Sequence, residues 1–155
     1  MWQRIQSLLL LLTILGAGVF LGTNSYIKII SSSEKVVVNA FQVLHQTGSK
    51  SDRIDIFYVA VLAGLSILLT VFTLFQYKNR VKQLLFVALN SLLLGIALAI
   101  IVYHIQKTAP NMNGAGGQYY IGIFAIFTAL IANWLANRFI KKDEKLVKDA
   151  DSRLR

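Results

Sequence analysis

The chain has 155 residues, of which 55% are hydrophobic and only 15% are charged, and its mean hydropathy is +0.59. A soluble domain carries about a quarter charged residues, so this composition points to lipid rather than water as the main solvent. The absence of cysteine excludes disulfides, thiol nucleophiles and thiolate metal sites. A net charge of +9 would suggest nucleic acid in a soluble protein, but in a membrane protein it usually reports orientation.

Four long stretches of the chain lack Asp, Glu, Lys and Arg, and their apolar residues are continuous rather than alternating. A helix needs about 20 mainly apolar residues to cross the hydrocarbon core, and backbone in lipid must satisfy its own hydrogen bonds. The continuous pattern favours helices over a closed barrel. We therefore predict an all-α membrane protein: a four-helix transmembrane bundle within residues 1–141, with spans at about 5–25, 56–77, 83–105 and 119–140.

Lysine and arginine are distributed unequally between the two ends of this predicted bundle. The end that holds both termini and the turn "YKNRVK" carries 11 of the 16 cations, and the other end carries 5. Because loops rich in Lys and Arg stay in the cytoplasm, both termini are predicted to be cytoplasmic. The expected location is a bacterial inner membrane, with a multi-pass N-in/C-in topology.

The loop at residues 26–53 is long enough to form a small extracytoplasmic subdomain. Residues 26–30 and 35–44 are rich in β-branched side chains around a serine-rich turn, which is typical of a β-hairpin. Alternatively, Ser31 and Glu34 form a capping box ahead of a helical apolar stripe. The second loop on this side, "KTAPNMNGAGGQ", contains the only proline of the chain and is predicted to be a flexible turn.

Polar side chains recur at one depth of the predicted bundle. Thr13, Thr70, Asn90 and Asn133 each lie eight or nine residues from a cation at the cytoplasmic end of their span. At about 1.5 Å per residue this places all four some 12 Å from those cations. We call these four residues the polar layer. Two interpretations are open: hydrogen bonds between helices, or a ligand pocket.

Small residues four positions apart predict where helices approach each other closely. The spacing occurs at Gly18 and Gly22, at Ser91, Gly95 and Ala99 in the third span, and at Ala125 and Ala129 in the fourth. Small-xxx-small patterns allow close backbone contact, either within the bundle or between copies of the chain.

The chain offers few groups for chemistry. The span interiors hold no Asp, Glu, Lys or Arg, so a conventional proton relay is not expected. His104 is interpreted as an interfacial histidine. His45, Asp52 and Asp55 share its side of the membrane, but their spacing matches no metal-ligand signature. We predict no enzyme activity, no cofactor and no metal site.

Residues 142–155 form a charged tail, predicted to be cytoplasmic. Lys141 and Lys142 would suffice to anchor the fourth helix, so the remaining ordered mixture exceeds what topology needs. The residues expected to dock a partner are Asp143, Glu144, Leu146, Val147, Arg153 and Arg155. The predicted function is a non-catalytic accessory or scaffold subunit of a membrane complex. The alternative is a small oligomeric transporter or channel for a neutral or apolar solute. The expected partners are membrane lipids and either another protein or further copies of the chain, not nucleic acid.

Three segments carry a resemblance to a known family: the start "MWQRIQSLLLLL", the turn "YKNRVKQLLFVALNSLLL" and the end "KKDEKLVKDADSRLR". Together they resemble an uncharacterised Bacteroidota family of small four-span inner-membrane proteins, known as a domain of unknown function. The resemblance implies a bacterial inner membrane and no assigned enzyme activity. It also favours strands in the loop at residues 26–53.

Overall fold

The computed structural model describes residues 2–31, 33–76, 79–108 and 116–153, and among these the side chains of residues 5–147. The elements in chain order are α1 (Trp2–Gly22), β1 (Asn24–Ser31), β2 (Glu34–Asn39), β3 (Gln42–Thr47), β4 (Lys50–Asp55), α2 (Phe57–Phe75), α3 (Arg80–Thr108), β5 (Gln118–Tyr119) and α4 (Ile121–Arg153). The second predicted loop falls largely on residues 109–115, and the predicted "YKNRVK" turn begins with Tyr77 and Lys78. Residues 109–115, 77 and 78 lie outside the described residues.

Within the described part of the chain, four helices are long and apolar enough to cross a membrane. The apolar segments are Ile5–Gly22, Phe57–Phe75, Arg80–Thr108 and Ile121–Val147. The four predicted spans therefore coincide with four helices. The first helix ends at Gly22 rather than near residue 25, because the chain enters β1 at Asn24. The fourth begins at Ile121, since Gln118–Tyr119 pairs with β1 instead.

Each helix packs against two neighbours. α1 contacts α2 and α4, and α3 contacts the same two helices from the other side. Because α1 leads into β1 and α2 follows β4, one end of the bundle adjoins the strands; we call it the sheet end. The opposite end, where α4 continues beyond the bundle, is called the tail end.

The sequence predicted an all-α class with a possible hairpin, and the structure corrects this with a five-stranded antiparallel sheet. The strand order is β4-β3-β2-β1-β5. β1 to β4 form successive hairpins, while β5 reaches the sheet from the α3–α4 connection. An isolated hairpin is marginally stable, so the added strands and the packing against the helices explain why the segment forms a sheet.

Local chemistry explains the strands and their turns. "EKVVVN" in β2 consists largely of residues that favour a pleated, half-buried surface, which overrides the alternative of a capped helix. The Asn39 Oδ1 accepts hydrogen bonds from the backbone N–H groups of Phe41 and Gln42, at 3.0 and 2.9 Å, and so closes the β2–β3 turn. Gly48 has φ of +59° in the β3–β4 turn, a conformation that L side chains rarely adopt.

The apolar interior consists of two separate clusters. The larger one lies towards the sheet end and joins Phe20, Leu94 and Ile126 of the helices to Val36 and Val38 of the sheet. The smaller one lies towards the tail end and is formed by Leu10, Val87, Ala136 and Ile140. The sheet is therefore packed into the same core as one half of the bundle.

Candidate functional site

The polar layer occupies the gap between these two apolar clusters. On α1, Thr13 falls between Leu10 of the smaller cluster and Ala17 of the larger one; on α3, Asn90 falls between Val87 and Leu94. Asn133 stands in the same relation to Ala129 and Ala136 on α4, and Thr70 follows Ala63 on α2. All four side chains are buried, with at most 1% of their surface exposed.

Hydrogen bonds join three members of the polar layer across three helices. The Asn90 Nδ2 donates to the Thr70 Oγ1 at 2.8 Å and to the Asn133 Oδ1 at 3.0 Å. The Asn133 Nδ2 donates to the Val87 carbonyl at 2.9 Å and to the Ser91 Oγ at 2.7 Å. α2, α3 and α4 are thus linked at one depth by uncharged amides and hydroxyls.

Thr13 lies at the layer's level on α1 but bonds within its own helix, donating to the Leu9 carbonyl at 2.9 Å. Ser91, by contrast, belongs to the network, although the sequence predicted it only as a small residue at a close approach of helices and not as part of the polar layer. The indication in the sequence that Ser91 could join the network was its position directly after Asn90, whose amide is central to the network. The Oδ1 of Asn90 is buried without a protein partner, as is the nearby Ser66 Oγ.

The chemistry of this arrangement favours helix association over ligand binding. An amide Nδ2 has two donor hydrogens, and both are used within the network on Asn90 and on Asn133. Thr70 donates its own hydroxyl proton to the Ser66 carbonyl at 2.7 Å. Since bonds between helices are worth about 0.6 to 1.7 kcal/mol each in lipid, the layer contributes to the order of the bundle.

Gly16 marks a close approach of α1 and α4 within the described chain. A Cβ at Gly16 would lie 2.8 Å from the Ala125 carbonyl oxygen and 3.0 Å from the Ala129 Cβ, so α1 and α4 touch backbone to backbone there. Gly18 and Gly22 have open space at the same position. Ala125 and Ala129, which the spacing indicated on α4, take part in this contact, while Gly18 and Gly22 make no such contact within the chain.

The fourth helix, α4, continues into the predicted tail. α4 is 33 residues long, about 50 Å, and remains helical to Arg153. The Asp143 Oδ2 lies 2.9 Å from the Nη1 of Arg80, the first residue of α3, and the same Nη1 donates to the Asp143 carbonyl at 3.2 Å. The start of the tail is therefore braced against the bundle.

The other predicted docking residues fall into three groups. Leu146 and Val147 are exposed, at 52% and 43%. Glu144 is half-buried and has an interaction within the chain. Arg153 is the last residue of α4, its side chain is not among those described, and Arg155 lies outside the described residues.

The histidines lie at the sheet end. The His104 Nε2 is 2.7 Å from the Tyr58 hydroxyl, and the His45 Nε2 is 3.0 Å from the Glu34 Oε1. Both histidines and Asp52 line a cavity of about 370 Å³ between the sheet and the end of α3. Among the described residues, no three His, Asp or Glu side chains are placed to hold a metal ion. Asp55 pairs with Gln42 at the edge of the sheet and does not line this cavity.

Comparison with known proteins identifies the family of the chain. No curated protein matches it. The family model described as Domain of unknown function (DUF4293) matches residues 2–154. Because this match covers nearly the whole length, the chain belongs to the family of that domain of unknown function.

Proposed function

We propose that the protein is a non-catalytic accessory or scaffold subunit of a bacterial inner-membrane complex, and that the tail of α4 docks its protein partner. The observation that carries the proposal is the exposed apolar pair Leu146 and Val147 on a helix that projects beyond the bundle. The segment from Ile140 to Arg153 is about 20 Å long. A helix with an exposed apolar patch is suited to a groove or helix of a partner.

The ion pair between Arg80 and Asp143 supports this role because it directs the projecting helix. A braced helix loses less conformational entropy on binding than a free tail does. Ile140 is 1% exposed within the smaller apolar cluster and is not available for docking. The docking surface therefore begins after Asp143.

The scaffold proposal is favoured over a pathway for a neutral solute by the state of the polar layer. Its amide donors are directed at other helices of the same bundle, which leaves the Asn90 Oδ1 as the buried acceptor without a protein partner. A solute pathway would need such groups to face a channel. Solute flux through liposomes that falls with Asn90→Leu and Asn133→Leu, while the bundle remains folded, would support the pathway instead.

Site-specific photocrosslinking in native membranes tests the docking proposal. A photoreactive residue at Leu146 or Val147 should give one adduct of defined size, whereas the same residue at Lys145 should not. Lys145 is a matched control because it is exposed and lies about 100° and 200° around the helix from those two positions. Co-purification of the same partner with the unlabelled chain should be lost when residues 146–155 are deleted, a truncation that retains Asp143. Equal adducts from all three positions would contradict a defined docking face.

The N-in/C-in orientation is a separate part of the proposal, supported by the excess of cations at the tail end. Because the chain has no cysteine, a single cysteine introduced at Ser51 in β4 reports on the membrane side that the sheet end faces, and one at Lys145 reports on the side that the tail end faces. A membrane-impermeant maleimide added to intact spheroplasts should label Ser51→Cys and not Lys145→Cys. The reverse pattern would overturn the orientation without affecting the docking test.

A further inference from the structure

A groove opens between α3 and α4 on the outer surface of the bundle at the tail end. It has a volume of about 460 Å³ and is lined by Ala88, Ser91, Trp134, Asn137, Arg138 and Lys141. We call it the α3–α4 groove. Ser91 is also part of the hydrogen-bonded network of the polar layer, so the groove extends from the cations at the tail end to that layer.

Two cations mark one side of this groove. Arg138 and Lys141 are both exposed, and within the described part of the chain neither forms an ion pair with an acid. The charged end of Arg138 lies over the Trp134 ring, 5.5 Å from its centroid. A guanidinium stacked in this way keeps its N–H donors free at the edge, in the geometry that binds phosphate.

The neighbouring side chains fit the rest of a lipid. Trp134 is 55% exposed on a helix that is long and apolar enough to cross a membrane, where an amphipathic ring can lie along acyl chains. The small side chain of Ala88 leaves the groove open beside it. The Asn137 Oδ1 is buried without a protein partner and would accept a hydrogen bond from a hydroxyl.

We propose that the α3–α4 groove binds an anionic phospholipid whose headgroup carries hydroxyl groups, with phosphatidylglycerol as the representative. Arg138 and Lys141 hold the phosphate, Asn137 accepts from a headgroup hydroxyl, and Trp134 contacts the chains. Basic pockets between transmembrane helices bind anionic headgroups in this way. Free phosphate shares the charge but has no acyl chains for Trp134.

Quenching of Trp134 by brominated lipid tests the proposal on the full chain. Trp2→Phe leaves Trp134 as the single tryptophan, because the chain has two. In vesicles, phosphatidylglycerol brominated on its acyl chains should bind at Trp134 roughly fivefold better than brominated phosphatidylcholine. The ratio of the two apparent affinities is the measured quantity, so that changes in tryptophan brightness cancel.

Variants separate a specific groove from general surface charge. Arg138→Gln with Lys141→Gln should reduce the ratio to about one, while Arg138→Lys with Lys141→Arg should retain most of it. Lys82→Gln with Lys145→Gln removes the same charge from exposed cations at the same end and should leave the ratio unchanged. Far-UV circular dichroism of every variant checks that the helices are intact.

Three outcomes would overturn the proposal. Equal quenching by the two lipids would show that the groove does not select an anionic headgroup. An equal loss in the Lys82 and Lys145 double variant would attribute selectivity to the overall surface potential. Relief of quenching by inorganic phosphate at constant ionic strength would show that the groove takes phosphate itself and not the lipid.

Discussion

The two ends of the bundle are stabilised by different means. At the sheet end, the larger apolar cluster joins the helices to β2 and β3, and the strands connect α1, α2 and α4 through backbone hydrogen bonds. At the tail end no strand is present in the described chain, the apolar cluster is small, and the polar layer lies above it. In a membrane, lipid tails are as apolar as the core, so burial alone would not hold the helices together there. Directional contacts and close packing must specify that end.

The largest effect is expected at the close contact between α1 and α4, near the boundary of the two ends. Gly16→Leu should lower the free energy of unfolding by about 3 kcal/mol, because the side chain would overlap the Ala125 carbonyl and Ala129. Gly18→Leu is the matched control, with open space around the same helix, and should be neutral or slightly stabilising. Unfolding in detergent with increasing fractions of dodecyl sulfate, followed by circular dichroism, measures both. If the two variants are destabilised equally, the loss at Gly16 does not arise from its contact with α4.

The polar layer provides the next test. Asn133→Leu removes the Oδ1 acceptor and the two Nδ2 hydrogens that Asn133 contributes to the network. We therefore expect the free energy of unfolding to fall by about 2 kcal/mol in the same assay. Asn90→Leu should cost a similar amount, because its amide links Thr70 to Asn133. The double variant should cost clearly less than the sum, since each single change leaves a partner unpaired. Additive losses would indicate that the two amides act independently.

A pair of threonines sharpens the comparison further. Thr70 and Thr128 each donate to the carbonyl four residues earlier, to Ser66 at 2.7 Å and to Phe124 at 2.8 Å, but only Thr70 also accepts from Asn90. Thr70→Val should therefore cost about 1 kcal/mol. Thr128→Val on the exposed face should stay within about 0.5 kcal/mol of the parent protein. A larger effect at Thr128 would contradict a special role for the layer.

The sequence allowed the four helices to be predicted because each is a continuous apolar run that only a helix can carry through lipid. It also placed Asn90, Asn133 and Thr70 at one depth, since distance along a helix converts directly into depth. The sequence did not determine how each helix is rotated about its own axis. Depth does not say which face a residue occupies, so the spacing did not identify Gly16 as the residue of α1 that contacts α4. For the same reason Thr13, which bonds within its own helix, was not distinguished from the members that bond to other helices.

The sheet was underestimated for a related reason. Strand composition was visible in "EKVVVN", but β4 reads "KSDRID", without apolar alternation, and each of its residues is exposed. It forms a strand because β3 offers a ladder to pair with through the turn at Gly48. The two residues of β5 pair with β1 only once α3 has returned the chain to the sheet end. Strand pairings of this kind depend on tertiary structure, so the sequence of the strand itself gives little indication of them.

The smallest expected effect concerns the ion pair that braces the tail helix at the end without strands. Arg80→Gln or Asp143→Asn should each lower the free energy of unfolding by about 0.2 to 1 kcal/mol, because the pair is partly exposed to solvent. A double-mutant cycle isolates the pair, and Lys82→Gln is the control for loss of one nearby charge. The more sensitive readout is hydrogen exchange of the amides at 144–153, which should accelerate in either single variant as the projecting helix loses its brace. Unchanged exchange would mean that α4 keeps its course without Arg80, and that continuity of the helix alone presents Leu146 and Val147.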